Sequence, residues 1–304
     1  MTARTLGWPQ LLLALAIVAV WGSNFVVIKL ALGHLPPLLF ATLRFMLAAV
    51  PMIFILRRPA VPLRNLAAYG VLIGVGQFGM LYIALNGLIA PGLASVVVQS
   101  QAFFTIGLAM WLSRERPPVR QYLALTVSFA GIAVIAAHIG QTTTLAGLLL
   151  VLVAALGWAG GNIVQRATPA VNMLSYVVWA SLFAVPPLLL LSLVFEGPAR
   201  IGAALAAASL ATWGAVLWQS VGNTMFGYAA WGWLLGRYPA ATVAPLALLV
   251  PVFGLGTAAW WLGEPLPAWK LAAAALVIGG LALNVLWPQL MRVRAGRAVR
   301  APAA

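Results

Sequence analysis

Trp21-Gly-Ser-Asn-Phe-Val-Val-Ile-Lys29 is a short polar interruption near the end of the first long apolar run of this chain. Far downstream the pattern returns as Trp158-Ala-Gly-Gly-Asn-Ile-Val-Gln-Arg166. One offset, 137 residues, carries Trp21 to Trp158 and Lys29 to Arg166, so an aromatic and a cation recur at a fixed spacing. A second offset, 149 residues, relates Glu115 to Glu264, each just beyond an apolar run ending in Trp111-Leu112 or Trp260-Trp261. Gly107/Gly256, Trp111/Trp260 and Gly131/Gly280 share it. Two halves related in this way predict a duplicated membrane unit, an arrangement typical of transporters.

Composition agrees with a membrane setting. Of 304 residues, 64% are hydrophobic and 7% charged, too few charges to cover the outside of a soluble domain. There is no Cys, which excludes disulfides and thiolate metal sites. The net charge of +14 is not gathered on a basic face, so a nucleic-acid partner is not expected. The cations instead sit between and after apolar runs, as in loops on the cytoplasmic side of a membrane. The N-terminal run continues to Leu32, longer than a signal-peptide core and without a clear cleavage site, and is expected to remain as the first helix.

About 20 mostly apolar residues cross the ~30 Å of hydrocarbon. That ruler predicts ten spans, at 9–31, 36–57, 66–88, 91–112, 119–138, 145–166, 172–194, 211–235, 239–262 and 267–288. Prolines such as Pro36, Pro91, Pro239 and Pro267 mark the starts, where a missing N–H leaves no partner unserved, and Gly197-Pro198 is one of the separators. With the N-terminus inside, the cytoplasmic loops and tails collect Arg4, Arg57, Arg58, Arg64, Arg114, Arg116, Arg120, Arg166, Arg237, Arg292, Arg294, Arg297 and Arg300. The other side has only Lys29, Arg200 and Lys270, while Arg44 lies within span two. Both termini are therefore expected in the cytoplasm. The predicted fold is an all-α polytopic membrane protein, two inverted five-helix repeats over 1–140 and 141–290 followed by a basic tail, 291–304.

Four stretches resemble the EamA-type family of the drug/metabolite transporter superfamily: Trp21 to Lys29, Pro36-Pro-Leu-Leu-Phe-Ala-Thr-Leu-Arg44-Phe, Gly92-Leu-Ala-Ser-Val-Val-Val-Gln-Ser-Gln-Ala-Phe-Phe104, and Gly236-Arg-Tyr-Pro-Ala-Ala-Thr-Val-Ala-Pro-Leu-Ala-Leu-Leu-Val-Pro251. The likeness spans nearly the whole chain and is strongest to the family's bacterial exporters of O-acetylserine and cysteine, with exporters of aromatic amino acids as cousins. It implies an inner-membrane exporter of amino acids and related metabolites, with ten helices and both termini inside.

Polar side chains within a bilayer need partners or water, so they turn to the bundle interior. Asn24, Gln77, Tyr82, Gln99, Gln101, Trp158, Asn162, Gln219 and Asn223 are the candidates for a neutral, hydrogen-bonding substrate cavity, with Asn86 and Tyr228 beside them. Trp21, Trp158 and Trp231 would supply apolar wall. The other reading of the amides is glue between helices, worth less than ~2 kcal/mol each. Trp21, Lys29, Arg44 and Arg166 are candidates for gates or a vestibule. For Arg44 the competing expectation is a long side chain snorkelling to the interface. The glycines of Gly70-x-x-x-Gly74, Gly157-x-x-Gly160-Gly161 and Gly232-x-x-x-Gly236 let backbones approach, as static packing or as a sliding contact. Pro245 and Pro251 each remove a backbone hydrogen bond, leaving carbonyls for a cavity or a passive kink. Trp8, Trp111, Trp213, Trp260, Trp261, Trp269 and Trp287 read as an interfacial belt, and His34 and His138 as residues near span ends.

An enzyme is not expected. No phosphate-binding Gly-x-x-x-x-Gly-Lys loop or His-Glu-x-x-His occurs, and the only acids are Glu115, Glu196 and Glu264. No metal or cofactor is expected either. With no carboxylate at mid-span, facilitated or exchange transport is favoured over proton coupling. Two other functions stay open: a flippase for lipid-linked substrates, which predicts a laterally open groove, and a non-transporting scaffold, which predicts no central cavity.

Overall fold

The computed structural model describes residues 6–113, 119–140, 143–168 and 171–298. Glu115, Arg114 and Arg116, with Arg4, Pro169 and Arg300, lie outside the described residues. Nearly everything described is helical: α1 (Trp8–Ala31), α2 (Pro37–Phe54), α3 (Leu63–Leu85), α4 (Pro91–Leu112), α5 (Val119–Ala137), α6 (Leu145–Arg166), α7 (Met173–Phe195), α8 (Leu210–Arg237), α9 (Ala244–Leu262) and α10 (Ala268–Ala298). Eight of these are long and apolar enough to cross a membrane, and α8 joins them if its bent companion is counted. α5 has a shorter apolar stretch, Gln121–Ala137, so the length-and-composition argument for ten spans stops short of it. An unforeseen helix, Pro198–Ala206, precedes α8 and is bent from it by 106°. Only its Ile201 is buried, as expected of a short helix lying along the surface of the bundle.

Helix starts follow local chemistry. Thr144, Asn172 and Ser209 accept hydrogen bonds from the backbone N–H groups of Gly147, Ser175 and Thr212, capping α6, α7 and α8. Two starts are capped from a distance. The Glu196 carboxylate, at the end of α7, accepts from Leu38 N (2.6 Å) and Leu39 N (2.9 Å) at the start of α2. Glu264 accepts from Gly92 N (3.0 Å) at the start of α4. Negative charge at a helix N-terminus meets its partial positive charge. Both described acids are thus used as caps between helices, a role their loop positions did not reveal.

The most extensive pairings are α3 with α6, α5 with α10, α1 with α9, and α2 with α7. Around these, α1 also packs on α8, α6 on α4, and α4 on α9. Large apolar side chains such as Leu12, Val153, Leu190 and Trp260 face outward, as a lipid-facing surface requires. Backbones cross most closely at small residues. Gly70 and Gly74 seat against Ala180 and Ala184 of α7. A Cβ at Gly157 of α6 would lie 2.6 Å from Gly76 C and 2.9 Å from Gln77 N of α3. Gly70, Gly74 and Gly157 are thus close-approach positions, whereas a Cβ at Gly236 of the third motif meets nothing within 4 Å. Gly157→Ala is therefore expected to destabilise the fold by about 1–3 kcal/mol through forced separation of α3 and α6. Gly107→Ala, whose Cβ would meet nothing within 4 Å, is the neutral control. Thermal melts of the two purified variants in detergent check this, and equal melting temperatures would refute it.

Besides a 3₁₀ turn at Met52–Phe54 that ends α2, four stretches within the helices depart from regular α geometry. Residues Leu72–Gly79 of α3 and Trp218–Phe226 of α8 form wider π-helical turns. Residues Val98–Ser100 of α4 and Ala244–Leu249 of α9 tighten to 3₁₀. Pro245 lies in this last stretch and Pro251 at the start of the α-helical part that follows, so the break in α9 is the 3₁₀ turn itself. Such departures concentrate at functional positions in helices.

Candidate functional site: a central cavity

A cavity of about 520 Å³ lies among α1, α3, α4, α6, α8 and α9, with the start of α7 at its edge. Trp21, Asn24, Gln77, Gln99, Gln101, Trp158, Asn162 and Asn223 line it, together with Tyr228 and Trp231. Its lining includes residues of the π-helical and 3₁₀ stretches: Gln77 and Phe78 in α3, Asn223 in α8, Val98 and Gln99 in α4, and Ala247 in α9. Irregular backbone at membrane depth is tolerated where it borders such a space.

The wall is partly ordered by its own hydrogen bonds. Asn162 Nδ2 donates to Gln101 Oε1 (2.9 Å) and Thr105 Oγ1 (3.1 Å), tying α6 to α4. Trp21 Nε1 donates to the Asn223 carbonyl (3.3 Å), and the Trp21 ring lies 5.2 Å from that of Trp231 and 6.0 Å from that of Tyr228. These amides are therefore both interhelical ties and cavity lining, so the two readings of them are not exclusive.

Tyr82 and Gln219 do not line the cavity; they stand behind its wall. Arg44 donates to Tyr82 Oη (3.1 Å), Tyr82 donates to Gln219 Oε1 (3.0 Å), and Gln219 Nε2 donates to Asn24 Oδ1 (2.6 Å). This chain runs through the core and ends on a cavity residue. Arg44 also donates to Thr224 Oγ1 (3.0 Å), and its guanidinium lies 3.6 Å from the Phe78 ring centroid, a cation–π contact. At 1% exposure Arg44 does not snorkel, and it belongs to the core rather than to a solvated vestibule. The physical reason is local: Tyr82, Thr224 and Phe78 supply a neutral coordination shell that a sequence pattern does not display. Asn86 is exposed at the end of α3, away from the cavity.

The two repeated cations mark opposite ends. Lys29 Nζ donates to the Leu85 carbonyl (3.2 Å), joining the ends of α1 and α3. The cavity lining stops short of this pair, at Ile28 and Leu81. At the other end it reaches Gln165, Met173, Leu235 and Gly236, next to exposed Arg166. The cavity lining thus extends to the neighbours of Arg166 and ends one turn or less short of Lys29. Phe25, Tyr69, Phe78, Gln165 and Met173 also contribute lining that the sequence reading did not single out. Of these, Gln165 and Tyr69 had the signal used for the other candidates, a polar side chain in a predicted span. Thr224, in the shell around Arg44, looked like an ordinary helix threonine. His138 stacks on Trp269 at 4.4 Å and takes no part in the cavity.

Membrane-length apolar helices around a mainly apolar cavity with several amides in its wall define the framework of a membrane transport protein. The chain belongs to the EamA-like transporter family, whose model matches it twice, over residues 8–137 and 145–286. It is 44% identical over 279 residues to a probable amino-acid metabolite efflux pump of Salmonella typhimurium, covering 90% of this chain and 93% of that protein. It is 41% identical to a protein of the same description from Escherichia coli, covering 92% and 97%. A crystal structure matches with a TM-score of 0.62 over 93% of this chain and 98% of that one, at 17% identity, which speaks to fold alone.

Proposed function

We propose that the protein exports small amino acids and related metabolites across the bacterial inner membrane by alternating access around the central cavity. The observation that carries this is the cavity: about 520 Å³ in size, within the ~300–1,000 Å³ usual for small-molecule sites, and lined by neutral amides and indoles. Amides and indoles suit a zwitterion that needs hydrogen bonds but no net countercharge. The relatives described as amino-acid metabolite efflux pumps point to the same substrates. A cavity also counts against a scaffold. Among the described residues no acid borders it, which favours facilitated or exchange transport.

The same reading gives ten spans, both termini in the cytoplasm, and two inverted repeats over 1–140 and 141–290. Several observations support the inversion. The family model matches once in each half. Exchanging each helix for the one five places along maps α1–α9 onto α6–α4, α3–α6 onto α8–α1, and α3–α7 onto α8–α2, all of them contacts in the bundle. The π-helical turns fall in the matched pair α3 and α8, and α4 and α9 each contain a 3₁₀ turn. A Cβ at Gly131 would strike Val277 and Ala273, while one at Gly280 would strike Ser128 and Ala124, reciprocal contacts at the 149-residue offset. With Arg166 on the cytoplasmic side, the cavity faces the cytoplasm and Lys29 with Leu85 closes the outer end. Asn24, Gln77, Gln99, Gln101, Trp158, Asn162 and Asn223 then contact substrate, Tyr82 and Gln219 brace them, and Trp21, Lys29, Arg44 and Arg166 belong to the moving parts.

The test is counterflow. Purified protein in liposomes loaded with an unlabelled neutral amino acid should accumulate the labelled one transiently from outside. Exchange confined to lipids or nucleotide-sugars, with none for any amino acid, would overturn the proposal.

A further inference from the structure

Beside the central cavity lies a much smaller one, of about 10 Å³, the scale of a single water. Arg44 and Thr224 line it. Tyr69, Phe78 and Tyr228 line both spaces, so these three rings form the partition between them. The guanidinium behind that partition is in an unusual state. It is 1% exposed, and its Nε makes no hydrogen bond. Its described partners, Tyr82, Thr224 and the Phe78 face, are all neutral. Neither described acid is at hand: Glu196 caps α2, and Glu264 is held by Gly92 and Lys270. Arg keeps its proton, and a charge buried without a counter-ion is costly unless something anionic visits it.

We infer that Arg44 is a carboxylate-reading subsite of the central cavity, entered by the substrate's own carboxylate when the Phe78–Tyr228 partition shifts. The inference rests on the amino-acid export reading and adds which group recognises the acid end. The planar fork suits a carboxylate, and Nε with one terminal nitrogen can hold both of its oxygens. The small space does not admit the group as it stands, so a ring must move. Phe78 lies within the π-helical turn of α3, and Tyr228 follows that of α8 by two residues. Loss of the extra residue that a π turn accommodates swings whatever follows by about 100°, one residue's worth of α-helix. The Arg44–Tyr82–Gln219–Asn24 chain joins the subsite to the cavity wall on its other side. A carboxylate at Arg44 and an ammonium left among the cavity amides would together select free amino acids over their neutral-ended derivatives.

The experiment compares the neutral amino acid giving the strongest counterflow with its α-carboxamide, at about pH 6.5, where the ammonium groups of both are largely protonated. Wild-type protein in liposomes should prefer the acid by tenfold or more in competition. Arg44→Gln should reduce that preference to near unity while amide transport persists, and Arg44→Lys should retain part of it. Arg44→Lys also serves if the Gln variant does not fold. Replacing chloride with methanesulfonate separates the anion sources. An unchanged preference supports the substrate carboxylate, whereas a preference that exists only in chloride assigns the site to an inorganic ion and overturns the inference. Equal wild-type transport of acid and amide, or full discrimination by a folded Arg44→Gln protein, also overturns it. Absence of amino-acid counterflow altogether instead fails the export reading.

Discussion

Glu264→Gln is expected to destabilise the folded protein by about 3–5 kcal/mol, the cost of breaking a buried ion pair by removing one partner. Lys270 Nζ lies 2.9 Å from Glu264 Oε1, and the side chains are 0% and 6% exposed. The ammonium otherwise has the Pro265 carbonyl at 2.7 Å, so the substitution leaves a buried cation with neutral acceptors only. The other Glu264 oxygen caps α4 through Gly92, and a neutral amide there forfeits the favourable charge at the helix start. Three helices meet at this loop: α9 ends in it, α10 leaves it and α4 is capped by it. A Glu264→Gln/Lys270→Met double variant should recover much of the loss, because it removes the orphaned charge as well as the pair. Tryptophan-fluorescence melts of the three proteins in detergent provide the measurement. A double variant less stable than Glu264→Gln would show that the orphaned Lys270 charge is not what destabilises the single variant.

The sequence discloses the helices well because membrane helices are set by one strong constraint, an apolar stretch of sufficient length between proline and glycine breaks. Observed helix ends fall within a few residues of expectation at α1, α6 and α7. The family was legible from its quoted motifs. The surface helix Pro198–Ala206 was not, since at 9 residues it is too short for a ruler of about 20 apolar residues to register. The cavity was largely legible too, because polar side chains in apolar spans have few places to go. What failed was depth within the core. Tyr82 and Gln219 have the same polarity and spacing as the lining residues, and only three-dimensional packing turns them toward Arg44. The π-helical turns contribute to this by shifting which face a residue presents, a change that no α-helical periodicity registers. Long-range caps were equally hidden, since Glu196 and Leu38 are far apart in sequence.

Gly236→Trp is expected to abolish transport, by ~100-fold or more, without loss of folding; a factor of that size is ~2.7 kcal/mol of added barrier. Gly236 is in the last turn of α8 at the wide end of the cavity, and a Cβ there meets nothing within 4 Å. The site therefore accepts a side chain without strain on the backbone. An indole is bulky and rigid, with only two side-chain torsions to swing it aside. It would occupy the approach bordered by Gln165, Met173 and Leu235. Gly256 of α9 is an equally open glycine on the exposed outside of the bundle, so Gly256→Trp should transport as wild type. Gly236→Ala should be close to normal, which makes the effect one of volume rather than of glycine flexibility. Counterflow rates of the three variants, normalised to protein recovered in the liposomes, decide the matter. Normal exchange by a well-folded Gly236→Trp protein would mean that substrate does not enter past the end of α8, and the cytoplasm-facing cavity would lose its role as the route of export.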